Sequence, residues 1–191
     1  MIKNYNLTND IDTCEVNDLI EICKSSSMIV GSKLRKAHYR LGELIAPAII
    51  SDLQDKSLTV FIMLRAGLFF GEGIADKIEE LGFSVSIILL DSSELPDDII
   101  KDTCDTNILI VDAVINTGKS IFELTNKLKT SKKILLATTV IPEESLELFS
   151  NSFLYCVRTS ENKYIGAKTR RISNGKGPDT GDRLFNTLSF R

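Results

Sequence analysis

The sequence predicts an α/β fold, a mainly parallel sheet flanked by helices, on three observations. Short apolar runs recur along the chain: LTVFIML, SVSIILL, NILIVDA, KILLATTV and FLYCV. These runs are apolar throughout instead of alternating, as in strands covered on both faces. The segments between them carry helical spacing instead of hairpin turns, which makes the connections crossovers. With 191 residues, 43% of them apolar, one core is affordable, so the chain reads as a single domain over 1–191, with its core at about 30–160 and a tail at about 163–187.

Residues 16–24 and 33–50 read as helices. In the second, Leu34, Ala37, Leu41, Leu44, Ile45 and Ala48 share one face, Ser32 can cap the start and Pro47 can kink or end it. A strand over 58–64 leads to a helix over 71–81 closed by Gly82. A strand over 84–90 precedes an acidic, irregular connection over 91–105. The strand NILIVDA, a helix over 118–130, the strand KILLATTV, a helix over 143–150 and the strand FLYCV complete the core.

Composition removes several classes. Four scattered cysteines (Cys14, Cys23, Cys104, Cys156) and a single histidine, His38, give neither a disulfide framework nor a zinc signature, and a reducing cytosol is the natural setting. His38 reads as a helix-surface or partly buried residue. No apolar run approaches the roughly 18–20 residues of a membrane span, and the polar, acidic amino terminus is unlike a secretory signal. The net charge of −3 is uneven: from Lys163 to Arg191 seven Lys/Arg face Asp179 and Asp182, so the tail is +5 and the remainder −8. A basic, Gly-rich tail on an acidic body suits a small polyanion; nucleic acid is disfavoured because no basic face exists outside the tail.

Ligands in parallel sheets bind beyond the carboxyl ends of the strands. Three segments there carry unusual chemistry: LRAGL after the first strand, DAVINTGKS after the third, and the tail. The second ends like a nucleoside-triphosphate loop, G-x-x-x-x-G-K-[ST], but Ala113 replaces its first glycine and Asp112 stands at the strand tip. A carboxylate there would repel a triphosphate. It suits a ligand with a phosphate at one end, held by the amides of residues 116–120 at a helix amino terminus, and sugar hydroxyls at the other.

Hydrophobic strand, Asp, short loop, Thr-Gly, then Ser resembles the phosphoribosyl-pyrophosphate signature of type I phosphoribosyltransferases. MLRAGLFFGEGI resembles the Leu-Arg-Ala-Gly-Leu loop of the uracil phosphoribosyltransferases, GPDTGDRLFNT their carboxyl-terminal motif, and SKLRKAHYRLGELI their amino-terminal helix, with Arg35 and Gly42 in matching places. The resemblance runs in order from about residue 30 to 187.

That resemblance implies a phosphoribosyltransferase-like fold with a short hood and a Gly-rich carboxyl-terminal loop. It implies transfer of the 5-phosphoribosyl group from phosphoribosyl pyrophosphate to a nucleobase, most naturally uracil, by a homodimeric cytoplasmic enzyme with Mg2+ as cofactor. Asp112 and Arg65 become the catalytic candidates. Arg65, Ala66 and Gly67 would contact pyrophosphate, with a structural ion pair to Glu72 or Asp76 as the alternative for Arg65. Asp112, Asn116, Thr117, Gly118, Lys119 and Ser120 would hold ribose 5-phosphate, Lys119 either touching the phosphate or pointing to solvent. Tyr164, Ile165, Gly177, Asp179, Gly181 and Asp182 form the base, ribose and metal tail, with Asp179 the candidate metal ligand. Arg35 could reach a phosphate or be an ordinary surface residue.

Two segments depart from the family. The hood, LLDSSELPDDIIKDTCDTN, is short and acidic, with Lys101 its only basic residue, and YIGAKTRRISNGKGPD replaces the segment that reads the base. The rival reading is a catalytically weak regulator of the same fold that binds phosphoribosyl pyrophosphate or a nucleotide.

Overall fold

The computed structural model describes residues 4–10, 13–129, 131–161 and 179–187. Among the described residues, six strands form one sheet in the order β1-β6-β5-β4-β2-β3: β1 Asn4–Asn6, β2 Ser57–Met63, β3 Ser84–Leu90, β4 Asn107–Val111, β5 Lys133–Pro142 and β6 Phe153–Ser160. Every pairing is parallel. The helices are α1 Leu7–Asp10, α2 Cys14–Cys23, α3 Ser32–Ile50, α4 Leu68–Glu80, α5 Asp97–Asp102, α6 Lys119–Lys127 and α7 Thr180–Phe185, with 3-10 turns at Ser25–Ser27 and Glu143–Phe149.

The period of two along each strand divides the core into two layers. Leu58, Val60 and Ile62 of β2, with Leu109 and Val111 of β4, face a layer shared with Leu41, Ile45 and Ile49 of α3 and Phe70, Ile74 and Ile78 of α4. Phe61, Met63, Ile108 and Ile110 face the other layer, with Ile121 and Leu124 of α6 and Phe149. Helices α3 and α4 cross almost backbone to backbone. A Cβ on Gly42 would lie 2.3 Å from the Phe70 carbonyl oxygen, and one on Gly73 would lie 2.0 Å from that of Tyr39.

Several sequence expectations need correction. Ser32 does not cap α3: it is the first residue of the helix, and the cap position falls to Gly31 at φ 67°, a conformation that favours glycine; the Gly31 N–H donates to the Arg183 carbonyl, 2.8 Å away. Pro47 lies inside α3, which runs on to Ile50, its last turns held by buried Ala46 and Ile49. The hood is not wholly irregular. Asp97 and Asp98 favour the positive amino end of α5, Leu95 and Ile99 pack on the core, and Lys127 Nζ of α6 donates to the Ser93 carbonyl at 2.9 Å. The segment after β5 is a 3-10 turn, not an α-helix. Strand β3 is an edge, so Ile87 and Leu89 are 47% and 52% exposed. A continuous apolar run is the same whether a strand is central or terminal. Strand β1 was missed because NYN lacks any apolar run; it is recruited by pairing with Leu154–Cys156 neighbours in β6.

His38 is fully buried, and among the described residues neither ring nitrogen has a hydrogen-bond partner. Its pKa is pushed down to about 3, first by desolvation and then by the Arg183 charge. A lone imidazole in the stretch KAHYR, where Lys36 and Arg40 are charged, reads in sequence as a helix-surface or partly buried residue; the packing of α3 buries it.

Candidate active site

Adjacent strands β2 and β4, paired at Ile62 and Val111, each release a loop at the carboxyl edge of the sheet. The first, Leu64 to Gly67, is tight: the Leu64 N–H donates to the Leu90 carbonyl at 2.6 Å and the Gly67 N–H to the Met63 carbonyl at 2.9 Å. The Leu64–Arg65 peptide is cis. Helix α4 begins at Leu68, earlier than expected, because this loop turns directly into it. Gly67 is required by packing rather than by ligand approach, since a Cβ there would stand 2.7 Å from the Met63 oxygen and 2.9 Å from the Val111 oxygen.

The second loop explains Ala113. It does not wrap as a triphosphate loop does but continues alongside β5. The Asp112 N–H donates to Ala137 O at 3.1 Å, Ile115 N–H to Val140 O at 3.2 Å, and Val114 bridges Val140. Ala113 is completely buried, and its carbonyl accepts from the Thr139 N–H at 3.1 Å and from both threonine hydroxyls, Thr138 and Thr139. The turn into α6 comes at Gly118, φ 70°, where a Cβ would meet the Phe149 ring at 2.6 Å.

The tail closes the site. Asp179 caps α7 in a reciprocal capping box with Asp182: the Asp182 N–H donates to Asp179 Oδ1 at 2.6 Å. Asp182 itself is only 1% exposed and accepts from Arg65 Nη2 and from the Thr187 hydroxyl, each at 3.0 Å, both on Oδ1. Arg65 therefore does make an ion pair, with Asp182, and with Asp179 at 3.9 Å, in place of the expected alternatives Glu72 or Asp76. Asp76 is engaged by the Tyr39 hydroxyl. Arg35 neither reaches the cleft nor lies idle. Its Nη1 donates to Leu184 O at 2.9 Å, and its guanidinium covers the Phe69 ring, which itself packs on Phe185.

These pieces enclose a cleft of about 540 Å3. Leu64, Arg65 and Ala66 line it from the first loop, Asp112, Val114 and Asn116 from the second, and Asp179, Thr180 and Gly181 from the tail. Asp91, at the end of β3, also lines it; the sequence reading missed it, although its position after an apolar run matches that of Asp112. Of the remaining candidates, Gly67 lies beneath the cleft and Asp182 behind Arg65. Thr117, Lys119 and Ser120 are exposed beside it at the head of α6, the Lys119 side chain 82% exposed and 3.9 Å from Glu123. Tyr164, Ile165 and Gly177 fall outside the described residues.

Asp112 is the perturbed group. Burial pushes its carboxyl up to about 7, against the opposing pull of the Val114 and Ala113 amides. A cleft-lining acid whose carboxyl burial holds well above the usual carboxylate range is a site candidate on physical grounds. Among the described residues, no group of three or more His, Cys, Asp or Glu could hold a metal ion. No described helix is long and apolar enough to cross a membrane.

Solved structures share this fold. A protein of Aquifex aeolicus is similar over 97% of both chains at TM-score 0.62 and 19% identity. A hypoxanthine-guanine phosphoribosyltransferase of Bacillus anthracis is similar over 66% of this chain and 78% of its own, at TM-score 0.51 and 14% identity. Fold and site together define a type I phosphoribosyltransferase. The model of the family described as uracil phosphoribosyltransferase matches residues 42–187, and the chain belongs to that family. Uracil phosphoribosyltransferases of Shouchella clausii and Lachnoclostridium phytofermentans are 27% and 26% identical to it over 156 residues, covering 75% of this chain and 72% of theirs. The chain is thus an enzyme of the phosphoribosyltransferase class, and the rival reading as a catalytically weak regulator of the same fold is not favoured.

Proposed function

We propose that the enzyme transfers the 5-phosphoribosyl group of phosphoribosyl pyrophosphate to uracil, forming the nucleoside monophosphate in pyrimidine salvage. One observation carries this reading: Arg65 and Asp112, from the tips of neighbouring strands, line one cleft together with the head of the tail helix.

In the reaction the bond from the anomeric carbon to pyrophosphate breaks as a ring nitrogen of the base bonds to that carbon. Negative charge develops on the leaving pyrophosphate, and the Arg65 guanidinium is placed to stabilise it, with the Ala66 amide beside it. The Gly67 amide, engaged with Met63 O, serves the loop instead. Asp112 accepts from the ribose hydroxyls, and its negative charge favours the oxocarbenium-like ribose. The amides at the head of α6, from Thr117 to Ser120, receive the 5-phosphate. Positioning and charge stabilisation are the whole of the protein's task in such a transfer.

Magnesium fits the donor set in a particular way. Asp91, Asp112 and Asp179 supply hard oxygens to the cleft without forming a ready-made cage. That suits a cation held mainly by substrate phosphates and water, with Asp179 as the protein's contribution. When bound, it would neutralise charge on the leaving group. A homodimer belongs to the same proposal, and sedimentation velocity decides it.

Support for uracil comes from the family and from the names of the two curated relatives. The test is to supply phosphoribosyl pyrophosphate, magnesium and single bases, following pyrophosphate release. Uracil should exceed cytosine, hypoxanthine, guanine and orotate at least tenfold in kcat/KM. Release with a purine alone would overturn the uracil assignment, and release with no base would overturn the transfer itself.

A further inference from the structure

Asp182 carries the tail motif's most buried charge, yet it does not line the cleft. The resemblance assigns such tail acids to ribose or metal. Here one oxygen, Oδ1, takes both Arg65 Nη2 and the Thr187 hydroxyl at 3.0 Å, while Oδ2 faces the Asp179 N–H at 3.4 Å. The carboxylate is therefore also held by the residues that flank its own helix, Asp179 before it and Thr187 after it. Gly181 completes the mould: a Cβ there would lie 3.4 Å from Arg65 Nε and 3.5 Å from Arg65 Cβ, so the guanidinium rests directly on the first turn of α7. Arg65 is nonetheless 44% exposed and lines the cleft. One edge of the fork is held, and the rest is presented.

We propose that Asp182 is a positioning residue for Arg65, orienting the guanidinium toward the leaving pyrophosphate without touching substrate. The inference rests on the assignment of Arg65 to pyrophosphate made above. An unpaired arginine on a loop would sample many rotamers, and fixing one of them beforehand reduces the ordering cost at binding. The same pair makes pyrophosphate recognition depend on the docked tail, which joins the two ends of the substrate site through a single buried carboxylate.

A double-mutant cycle tests this, using inorganic pyrophosphate with magnesium as the calorimetric probe and kcat/KM for phosphoribosyl pyrophosphate as the second readout. Asp182→Asn should weaken both by about tenfold in the parent protein. In the Arg65→Ala background the same substitution should change neither by more than twofold, because the group through which it acts is gone. Equal losses in both backgrounds, or no loss in either, would overturn the proposal. A parent protein that binds no pyrophosphate sinks the Arg65 assignment as well, so the two failures are distinguishable. If Asp182→Asn does not fold, Thr187→Val replaces it, removing the hydroxyl that holds the Asp182 carboxylate beside Arg65 while leaving the capping box in place. A several-fold loss confined to the parent background supports the proposal; an equal loss in both backgrounds, or none, overturns it.

Discussion

Gly67 lies against Asp112: a Cβ on the glycine would stand 3.4 Å from the Asp112 Cα. The two loops that form the cleft are thus packed on each other through backbone, and the pyrophosphate side cannot move without displacing the ribose side.

Gly67→Ala should therefore damage both functions at once. The added methyl meets carbonyl oxygens that belong to strands, so the loops must part; overpacking of this kind costs about 1–3 kcal/mol. Thermal unfolding should show that loss, and affinity for phosphoribosyl pyrophosphate should fall by more than tenfold. Unchanged affinity in a destabilised protein would mean that the loops are not coupled.

Asp112 predicts a pH dependence whose sign can be worked out. Its pKa is raised to about 7 in the folded protein from an ordinary value of 3.8, chiefly by desolvation. A raised value means that the stability contribution is fully present below about 3.8 and is lost as pH rises through 7. Asp112→Asn should then stabilise the ligand-free protein at pH 8 by roughly 1–3 kcal/mol, discounted for the carboxyl's partial exposure, and have little effect at pH 4. The same substitution should weaken phosphoribosyl pyrophosphate at least tenfold at pH 8. Chemical denaturation and calorimetry at the two pH values check both halves.

Arg183 anchors the tail and is 2% exposed. It donates to the carbonyls of Cys23 at 3.0 Å, Lys24 at 3.1 Å and Ile29 at 3.0 Å, and to the Ser27 hydroxyl at 3.2 Å. Arg183→Ala strands those acceptors, and a loss of about 3 kcal/mol or more is expected in denaturant unfolding. Arg183→Lys, with three donors and no fork, should recover less than half. A change below about 1 kcal/mol for the alanine variant would contradict this account.

His38 makes the protein acid-sensitive. Its pKa is depressed to about 3, so the unfolded chain gains a proton near pH 6.5 that the folded chain refuses until far lower. Its contribution is present above pH 6.5 and is lost as pH falls toward 3. At pH 5 the penalty from this one group is about 2 kcal/mol. His38→Leu should narrow the gap between melting temperatures at pH 7.5 and pH 5; an unaltered gap would place the acid sensitivity elsewhere.

The sequence by itself determined the sheet, its parallel character and the two loops that leave it. Apolar runs with helical segments between them, and charged residues such as Arg65 and Asp112 standing where an apolar run stops, are local patterns that survive without knowledge of the neighbours. Tertiary structure decided the rest. Asp182 meets Arg65 across 117 residues of chain, and Arg183 meets carbonyls more than 150 residues earlier. Nothing in D-T-G-D-R distinguishes a carboxylate facing substrate from one buried behind an arginine. Likewise, the apolar run of β3 does not reveal that it ends the sheet, and the helical pattern around His38 does not reveal that the tail's Arg183 lies near it. Periodicity reports which face of an element is apolar; which partner covers that face depends on how distant segments dock, and that is a property of the packed chain alone.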